Sequence, residues 1–354
     1  MLHANKGEWS ELYVLYSLFA NNKIAAADND LRPTDKFYKF LKIFREDAPR
    51  RLITYDLKEN EKVVIRGFGC EKIVSTMGLS SKTKRIFDKI KETGDTTFPI
   101  PEAEDLMQVF FLSKIKASSF EKSDLTATVE NDIVSETEPC GFSIKSQVGG
   151  ASTLLNASGG GTNFTYKISG FNGSVDEINS IDSHKKIRDR LNAISKTGGK
   201  LVFVGMSSST FRENLRTVDT VLPKIIAQML MNYYSGKGSK METLCELAAK
   251  NDCFDLNKNQ ITSKVKNFLK IVALGMVPQT QWNDRLSAYG GYIVVRDDGE
   301  LVCYHLYNED AFKEYLFNNT KFDTPSCSRH KFGYIYNDRG SLFINLNLQI
   351  RFNK

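Results

Sequence analysis

Residues 141–147 read Gly-Phe-Ser-Ile-Lys-Ser-Gln, and this mixture of apolar and polar residues predicts a β-strand. Successive side chains of a strand point to opposite faces, so Ser143, Lys145 and Gln147 share one face and the residues between them take the other. Lys145 is therefore a candidate active-site residue in a largely apolar setting. Gln147 could orient a water molecule or simply face solvent. For Lys145, the alternative is an ordinary exposed lysine on a strand.

A second strand is predicted at residues 125–129, before an acidic linker at residues 130–138. Asp124 opens this strand, nineteen residues before Ser143. If the two strands pair like a hairpin, Asp124 lies beside the face that carries Ser143 and Lys145. A carboxylate that holds Mg²⁺, with a cation near the scissile phosphate, is what phosphodiester hydrolysis requires. The alternative is an ordinary aspartate at a strand edge.

The N-terminal segment predicts a buried helix over residues 8–20, with Asn5 as its N-cap and Glu8 three residues later, as in a capping box. Glu8 and Glu11 share one helix face. Glu11 lies in an apolar run, where an unpaired carboxylate is costly unless a metal or Lys145 compensates its charge.

Three other possibilities stay open for the acidic residues. Glu8 could serve as a helix cap and nothing more, and Glu11 could pair with a surface lysine. The acidic linker offers Glu136 and Glu138 as weaker metal ligands, because such linkers are usually solvated.

An Asp at a strand start, followed by a strand that carries x-x-Lys, resembles the PD-(D/E)xK nuclease core. Further short segments, in their order along almost the whole chain, resemble the HpaII family of type II restriction endonucleases. They are residues 5–11 (Asn-Lys-Gly-Glu-Trp-Ser-Glu), 141–147, 152–158 (Ser-Thr-Leu-Leu-Asn-Ala-Ser), Asn163-Phe164 and 346–352 (Leu-Asn-Leu-Gln-Ile-Arg-Phe).

The resemblance implies Mg²⁺-dependent cleavage of double-stranded DNA at a short palindrome, CCGG. It implies that Asp124 and a helix glutamate, Glu11 or Glu8, bind the metal together with the main-chain carbonyl near Ile144. Lys145 would orient or deprotonate water, or stabilise the phosphorane. The chain departs from the PD-(D/E)xK pattern at Ser123, which stands in place of proline, and at Ser143, which stands in place of an acid. The second departure matters because a hydroxyl cannot supply the second negative charge of a metal site.

Composition is compatible with this class of enzyme. The chain has 354 residues, a hydrophobic fraction of 41% and a net charge of +6. No apolar window is long enough for a membrane span, no secretion signal is visible, and the six cysteines form no Cys-x-x-Cys pair. We therefore expect a cytoplasmic protein with reduced, mostly buried thiols and no membrane association.

The order of predicted elements indicates an α/β (mixed α+β) fold with a mixed sheet flanked by helices. We expect a nuclease core at residues 1–205 and a helical, then β-rich, region at residues 206–354, although one domain is possible. The main predicted elements are a hairpin at 51–67, helices at 80–116, 174–197 and 209–275, a central strand at 200–204, a hairpin at 292–307 and a final strand at 342–352.

Guanine recognition favours arginine or lysine, and acids suit cytosine amines, so Arg188, Asp189 and Arg190 are candidate base readers. A solvated helix face with local ion pairs is the alternative. The other candidates come from a Gly-rich loop at residues 149–163 and from two polar, basic loops near the C-terminus, where plain turns are the alternative. They are Asn156, Ser158, Asn163, Lys321, Arg329 and His330.

A palindromic target suits a homodimer, although a monomer could nick each strand in turn. A cytosine DNA methyltransferase encoded nearby is the expected companion of a restriction enzyme. Two other functions stay open: a repair or junction-resolving PD-(D/E)xK nuclease, and a DNA-binding protein without catalysis.

Overall fold

The computed structural model describes residues 1–48, 51–58, 60–67, 69–116, 123–130, 138–250, 254–305 and 308–353. The chain is a mixture of helices and strands, as the sequence predicts. The helices of the described part are α1 (Lys6–Asn21), α2 (Leu79–Glu92), α3 (Pro101–Val109), α4 (Val175–Ser180), α5 (Lys186–Lys196), α6 (Ser209–Val218), α7 (Leu222–Tyr234), α8 (Met241–Ala249), α9 (Lys258–Leu274), α10 (Glu309–Asn319) and α11 (Cys327–His330). None of these is long and apolar enough to cross a membrane.

The strands lie between and after these helices along the chain, in groups of one to five. They are β1 (Lys23–Ala27), β2 (Pro33–Ala48), β3 (Arg51–Lys58), β4 (Lys62–Gly67), β5 (Cys70–Ser75), β6 (Leu125–Glu130), β7 (Cys140–Ser146), β8 (Thr153–Leu155), β9 (Asn163–Ser169), β10 (Lys200–Met206), β11 (Gly291–Val295), β12 (Leu301–His305), β13 (Thr320–Phe322), β14 (Ile335–Asp338), β15 (Ser341–Asn347) and β16 (Ile350–Phe352). Both predicted hairpins, β3–β4 and β11–β12, are confirmed.

Contacts between residues divide the chain into two compact units. Unit 1 comprises residues 1–152, 273–275 and 286–315, and unit 2 comprises residues 153–272, 276–285 and 316–354. The boundary predicted between residues 205 and 206 falls inside unit 2, where β10 packs against α6. Unit 1 is not continuous along the chain, because residues 286–315 join the N-terminal part.

Unit 1 contains a nine-stranded sheet in the order β1-β12-β11-β7-β6-β2-β3-β4-β5. An additional pairing of β1 with β2 closes six of these strands into a ring. Two pairings, β1 with β12 and β11 with β7, are parallel, and the others are antiparallel. The predicted strand at residues 141–147 therefore lies between β6 and β11.

Helix α1 packs against α2 and β7, and its sequence explains both its start and its burial. The predicted capping box is present: the Asn5 side chain accepts a hydrogen bond from Glu8 N, and the Glu8 side chain accepts one from Asn5 N. Trp9 is fully buried, and its indole donates to the Phe98 carbonyl at 2.9 Å. These contacts fix the rotation of α1, and with it the position of Glu11.

Gly141 fixes the close approach of the chain around the start of β7. A Cβ atom at this position would lie 2.5 Å from the Ser287 carbonyl oxygen and 2.8 Å from the Ser123 Cβ. Both distances are shorter than real Cβ contacts, so only glycine fits without a shift of the main chain. Ser123 immediately precedes Asp124, so the glycine lets the two strand starts meet.

Unit 2 contains a four-stranded sheet, β10-β9-β15-β14, and a three-stranded sheet, β13-β16-β8. The prediction that residues 200–204 form a central strand is wrong, because β10 is an edge strand on which Val202 and Val204 are more than half exposed. An apolar run does not by itself distinguish an edge from a centre. The predicted final strand is likewise two strands, β15 and β16, in different sheets.

Candidate active site

Asp124 is held against β7 by three hydrogen bonds. Its N–H donates to the Phe142 carbonyl at 2.8 Å. Its Oδ2 accepts from the Ile144 N–H at 2.8 Å and from the Ser143 hydroxyl at 3.3 Å. The hairpin-like pairing expected from the sequence therefore places Asp124 beside Ser143.

Ser143 is buried, with 3% of its surface exposed, and its hydroxyl points at Asp124. In this position it orients the aspartate and adds no charge. The second carboxylate that a cation site needs must therefore come from another element.

Glu11 supplies that carboxylate from α1. Its side chain is 16% exposed, and its Oε1 lies 3.5 Å from the Lys116 Nζ. The same Nζ lies 4.0 Å from the Asp124 Oδ1, so one ammonium group links the two acids. Lys116 was not predicted: it ends the described segment before residues 117–122, and nothing in the sequence around it suggested a role.

The pKa of Glu11 reflects its burial and the proximity of three other charged groups. Burial, followed by the negative charge of Asp124, raises its pKa to about 7, and Lys116 and Lys145 act in the opposite direction. Lys145 is half-buried on β7. Two carboxylates and two ammonium groups therefore share one partly buried site, and perturbed carboxylates of this kind are common at functional sites.

The other acids do not join this group. The Glu8 carboxylate accepts the Asn5 N–H at 2.9 Å, so the structure supports the capping alternative for Glu8 over metal binding. Glu138 is exposed before the start of β7, and Glu136 lies outside the described residues. Gln147 follows the end of β7, where its side chain is exposed and its N–H donates to the Val295 carbonyl.

The donor set fits a hard divalent cation with a partly aqueous shell. Glu11 and Asp124 offer carboxylate oxygens. The Phe142 carbonyl points toward Asp124, and Ile144, two residues further along the same strand, presents its carbonyl to the same side. Within the described ranges, no cluster of three His, Cys, Asp or Glu side chains could hold a metal. Mg²⁺ tolerates this, because one or two carboxylates and several waters suffice.

All the predicted DNA-contacting residues lie in unit 2, and two of them are corrected by their burial. Arg190 is 1% exposed, and its guanidinium donates to the carbonyls of Asn179, Ile181 and Gly333. Asn163 is 2% exposed, and it donates to the Gly159 carbonyl and accepts from Asn347. These side chains hold the unit together and are not available to read bases.

Arg188 remains a candidate, because it lines a cavity of about 590 Å³ in unit 2. The cavity wall contains basic side chains, hydroxyl groups and aromatic rings, but no acid. The lining residues that carry this chemistry are His184, Lys185, Lys186, Arg188, Tyr233, Thr324, Ser326 and Ser328. Asp189 lies outside this lining, where its carboxylate pairs with Arg188 at 3.7 Å and accepts from Ser183.

The Gly-rich loop and α11 meet beside this cavity wall. The Asn163 amide donates to the His330 carbonyl at 3.3 Å, and Ser158 organises the loop through hydrogen bonds with Thr162, Gly161 and Gln279. Arg329 and Asn156 are exposed. Lys321 lies in β13, paired with Arg351, and is half-buried. The structure thus brings the predicted loop and α11 together, next to the cavity that α11 helps to line.

Comparison with known proteins identifies the family of this chain. The HpaII restriction endonuclease family matches residues 5–352. The Type II restriction enzyme HpaII of Haemophilus parainfluenzae is 40% identical in an alignment of 354 positions, which covers 98% of this chain and 98% of that protein. No solved structure matches the chain. Because the match spans nearly the whole sequence, the chain belongs to the HpaII restriction endonuclease family.

Proposed function

We propose that this restriction endonuclease is a PD-(D/E)xK enzyme that hydrolyses double-stranded DNA at CCGG with Mg²⁺. The observation that carries the proposal is that Asp124, immediately before β6, lies close to Glu11 of α1 and Lys145 of β7. The palindrome CCGG is the target that the family resemblance implies.

Each of the three side chains has a role in this chemistry. Asp124 and Glu11, with the Ile144 carbonyl, would hold the metal, and Ser143 keeps Asp124 oriented through its hydroxyl. Lys145 positions the attacking water or stabilises the charge that develops on the phosphorane as the bond between phosphorus and the 3′-oxygen breaks. A bound divalent cation supplies Lewis-acid stabilisation of that charge.

The basic surface of unit 2 is proposed to hold DNA. Lys185, Lys186 and Arg188 line one cavity, and Arg329 and His330 extend the basic character along α11. Positive side chains that contact phosphates position the duplex, and an arginine that reaches a guanine edge adds selectivity. We further propose a homodimer on the palindrome, a cytoplasmic site of action and a companion cytosine methyltransferase.

A plasmid digest tests the function. Purified protein is incubated with Mg²⁺ and with unmethylated or CCGG-methylated plasmid, and the fragment ends are sequenced. Discrete fragments that all end within CCGG, with the methylated plasmid spared, support the proposal. Nicking at branched DNA or without a common sequence would indicate a repair nuclease, and binding without cleavage would indicate a DNA-binding protein.

A further inference from the structure

We propose that Lys116 is an internal cation of the metal site, which occupies the place of the divalent ion until the ion displaces it. This inference rests on the proposed metal site. It goes beyond it in assigning Lys116 as a competitor for the same carboxylate oxygens.

The first support is which oxygens Lys116 contacts. Asp124 uses Oδ2 to accept the Ile144 N–H and the Ser143 hydroxyl. The Lys116 Nζ faces the other oxygen, Oδ1, at 4.0 Å, and faces the Glu11 Oε1 at 3.5 Å. Lys116 therefore lies nearest the Asp124 oxygen that the hydrogen bonds to β7 leave for a cation.

The second support is that these contacts are long. An ammonium group that hydrogen-bonds to a carboxylate typically lies within about 2.9 Å of the oxygen. Distances of 3.5 and 4.0 Å give attraction without that geometry. Two partly buried carboxylates need a nearby positive charge. Lys116 supplies this charge, and a divalent cation can replace it.

The third support is the difference between the two lysines of the site. Lys116 is 51% exposed, so its side chain can turn into solvent when a cation enters. Lys145 extends from β7, between β6 and β11, and its stem is half-buried. Lys116 is thus the lysine that can leave, and Lys145 the one that stays.

The experiment measures metal binding in the absence of DNA. Mn²⁺ is titrated into the full-length protein, and the free ion is followed by its paramagnetic resonance signal, with Mg²⁺ added to show competition. Lys116→Met nearly keeps the length of the side chain and removes the competing charge, so we expect Mn²⁺ to bind about two- to fivefold more tightly. The metal-free melting temperature of this variant should fall, and added Mn²⁺ should raise it more than in the parent protein.

Two further variants complete the test. Lys114→Met, an equal loss of charge two residues earlier on an exposed side chain, should leave Mn²⁺ affinity nearly unchanged, and Lys116→Arg should keep affinity close to that of the parent. Unchanged or weaker binding in Lys116→Met, with normal binding in the parent that Asp124→Asn abolishes, would overturn the inference alone. If the parent bound no Mn²⁺, or if Asp124→Asn bound it equally well, the proposed metal site itself would be contradicted.

Discussion

The Ile144 N–H donates to the Asp124 Oδ2 at 2.8 Å, so the main chain of the lysine-bearing strand holds the aspartate of the site. Lys145 follows Ile144 directly. A displacement of β7 would therefore move Asp124 and Lys145 together and keep these two residues of the proposed site in register.

Asp124→Asn removes the charge of this side chain and keeps an oxygen atom for its hydrogen bond to β7. The amide oxygen can still accept the Ile144 N–H, so the melting temperature should change little. Mg²⁺-dependent cleavage of a CCGG duplex should fall at least about a hundredfold, because a cation ligand is lost. Glu138→Gln is the control, since this exposed acid lies outside the site, and it should cleave at the parental rate. Equal rates for both variants would exclude Asp124 from catalysis.

Glu11→Gln should change how stability depends on pH in the absence of metal. The pKa of Glu11 is raised from 4.5 to about 7, so between these values the folded chain holds a proton that the unfolded chain has released. The free energy of unfolding therefore decreases as pH rises through this window, by up to about 2 to 3 kcal/mol. The glutamine variant should lack this decrease.

Chemical denaturation with a chelator present, at several pH values from 4.5 to 8, measures the Glu11 effect. The parent and Glu11→Gln should have similar free energies of unfolding near pH 4.5 and should diverge toward pH 8, with the variant the more stable. Parallel pH profiles would show that Glu11 does not titrate in the way that its burial implies.

Glu8→Gln provides a contrast on the same helix. Its carboxylate accepts the Asn5 N–H in the capping box, and a glutamine oxygen can keep that bond. The variant therefore loses only the favourable interaction of a negative charge with the helix N-terminus, typically about 0.3 to 1 kcal/mol. We expect a small decrease in melting temperature and a cleavage rate within a few-fold of the parent. A loss of cleavage as large as that of Glu11→Gln would restore Glu8 as a metal ligand.

Arg188→Met and Arg190→Met distinguish a DNA contact from a structural arginine. Arg188 is 40% exposed on the cavity wall, so its loss should weaken DNA binding and reduce the salt dependence of the binding constant by about one charge. Arg190 is buried, and its loss would leave three carbonyls without their donor, which should lower the free energy of unfolding by about 3 kcal/mol. Anisotropy titrations at two salt concentrations and thermal melts measure these effects. If Arg188→Met mainly lowered stability and Arg190→Met mainly weakened DNA binding, the roles given to these two arginines would be wrong.

Local sequence patterns were sufficient to predict the elements that carry the site. The capping box of α1 and the paired strands around Asp124 and Lys145 depend on residues close in sequence. The neighbour on the other side of β7 is β11, whose Ile293 pairs with Ile144 in parallel, and no local signal encodes such a distant pairing. Lys116 likewise joins the site only through the tertiary structure, so no local sequence pattern predicts its role.

The Arg-Asp-Arg segment shows how a composition signal can mislead. Residues two apart on a helix do not share a face. Arg188 and Arg190 therefore could not both face one surface once residues 186–196 form α5, and the structure buries the second of them.

Single-turnover cleavage by Lys145→Ala tests the proposed site of Asp124, Glu11 and Lys145 most directly. The variant is mixed in excess with a short CCGG duplex and Mg²⁺, after thermal melting and DNA-binding measurements have shown that it folds and binds. We predict a cleavage rate at least about a thousandfold below that of the parent, with DNA affinity within a few-fold. Cleavage at the full parental rate would contradict the assignment of Lys145, and with it the site formed by β7, Asp124 and Glu11.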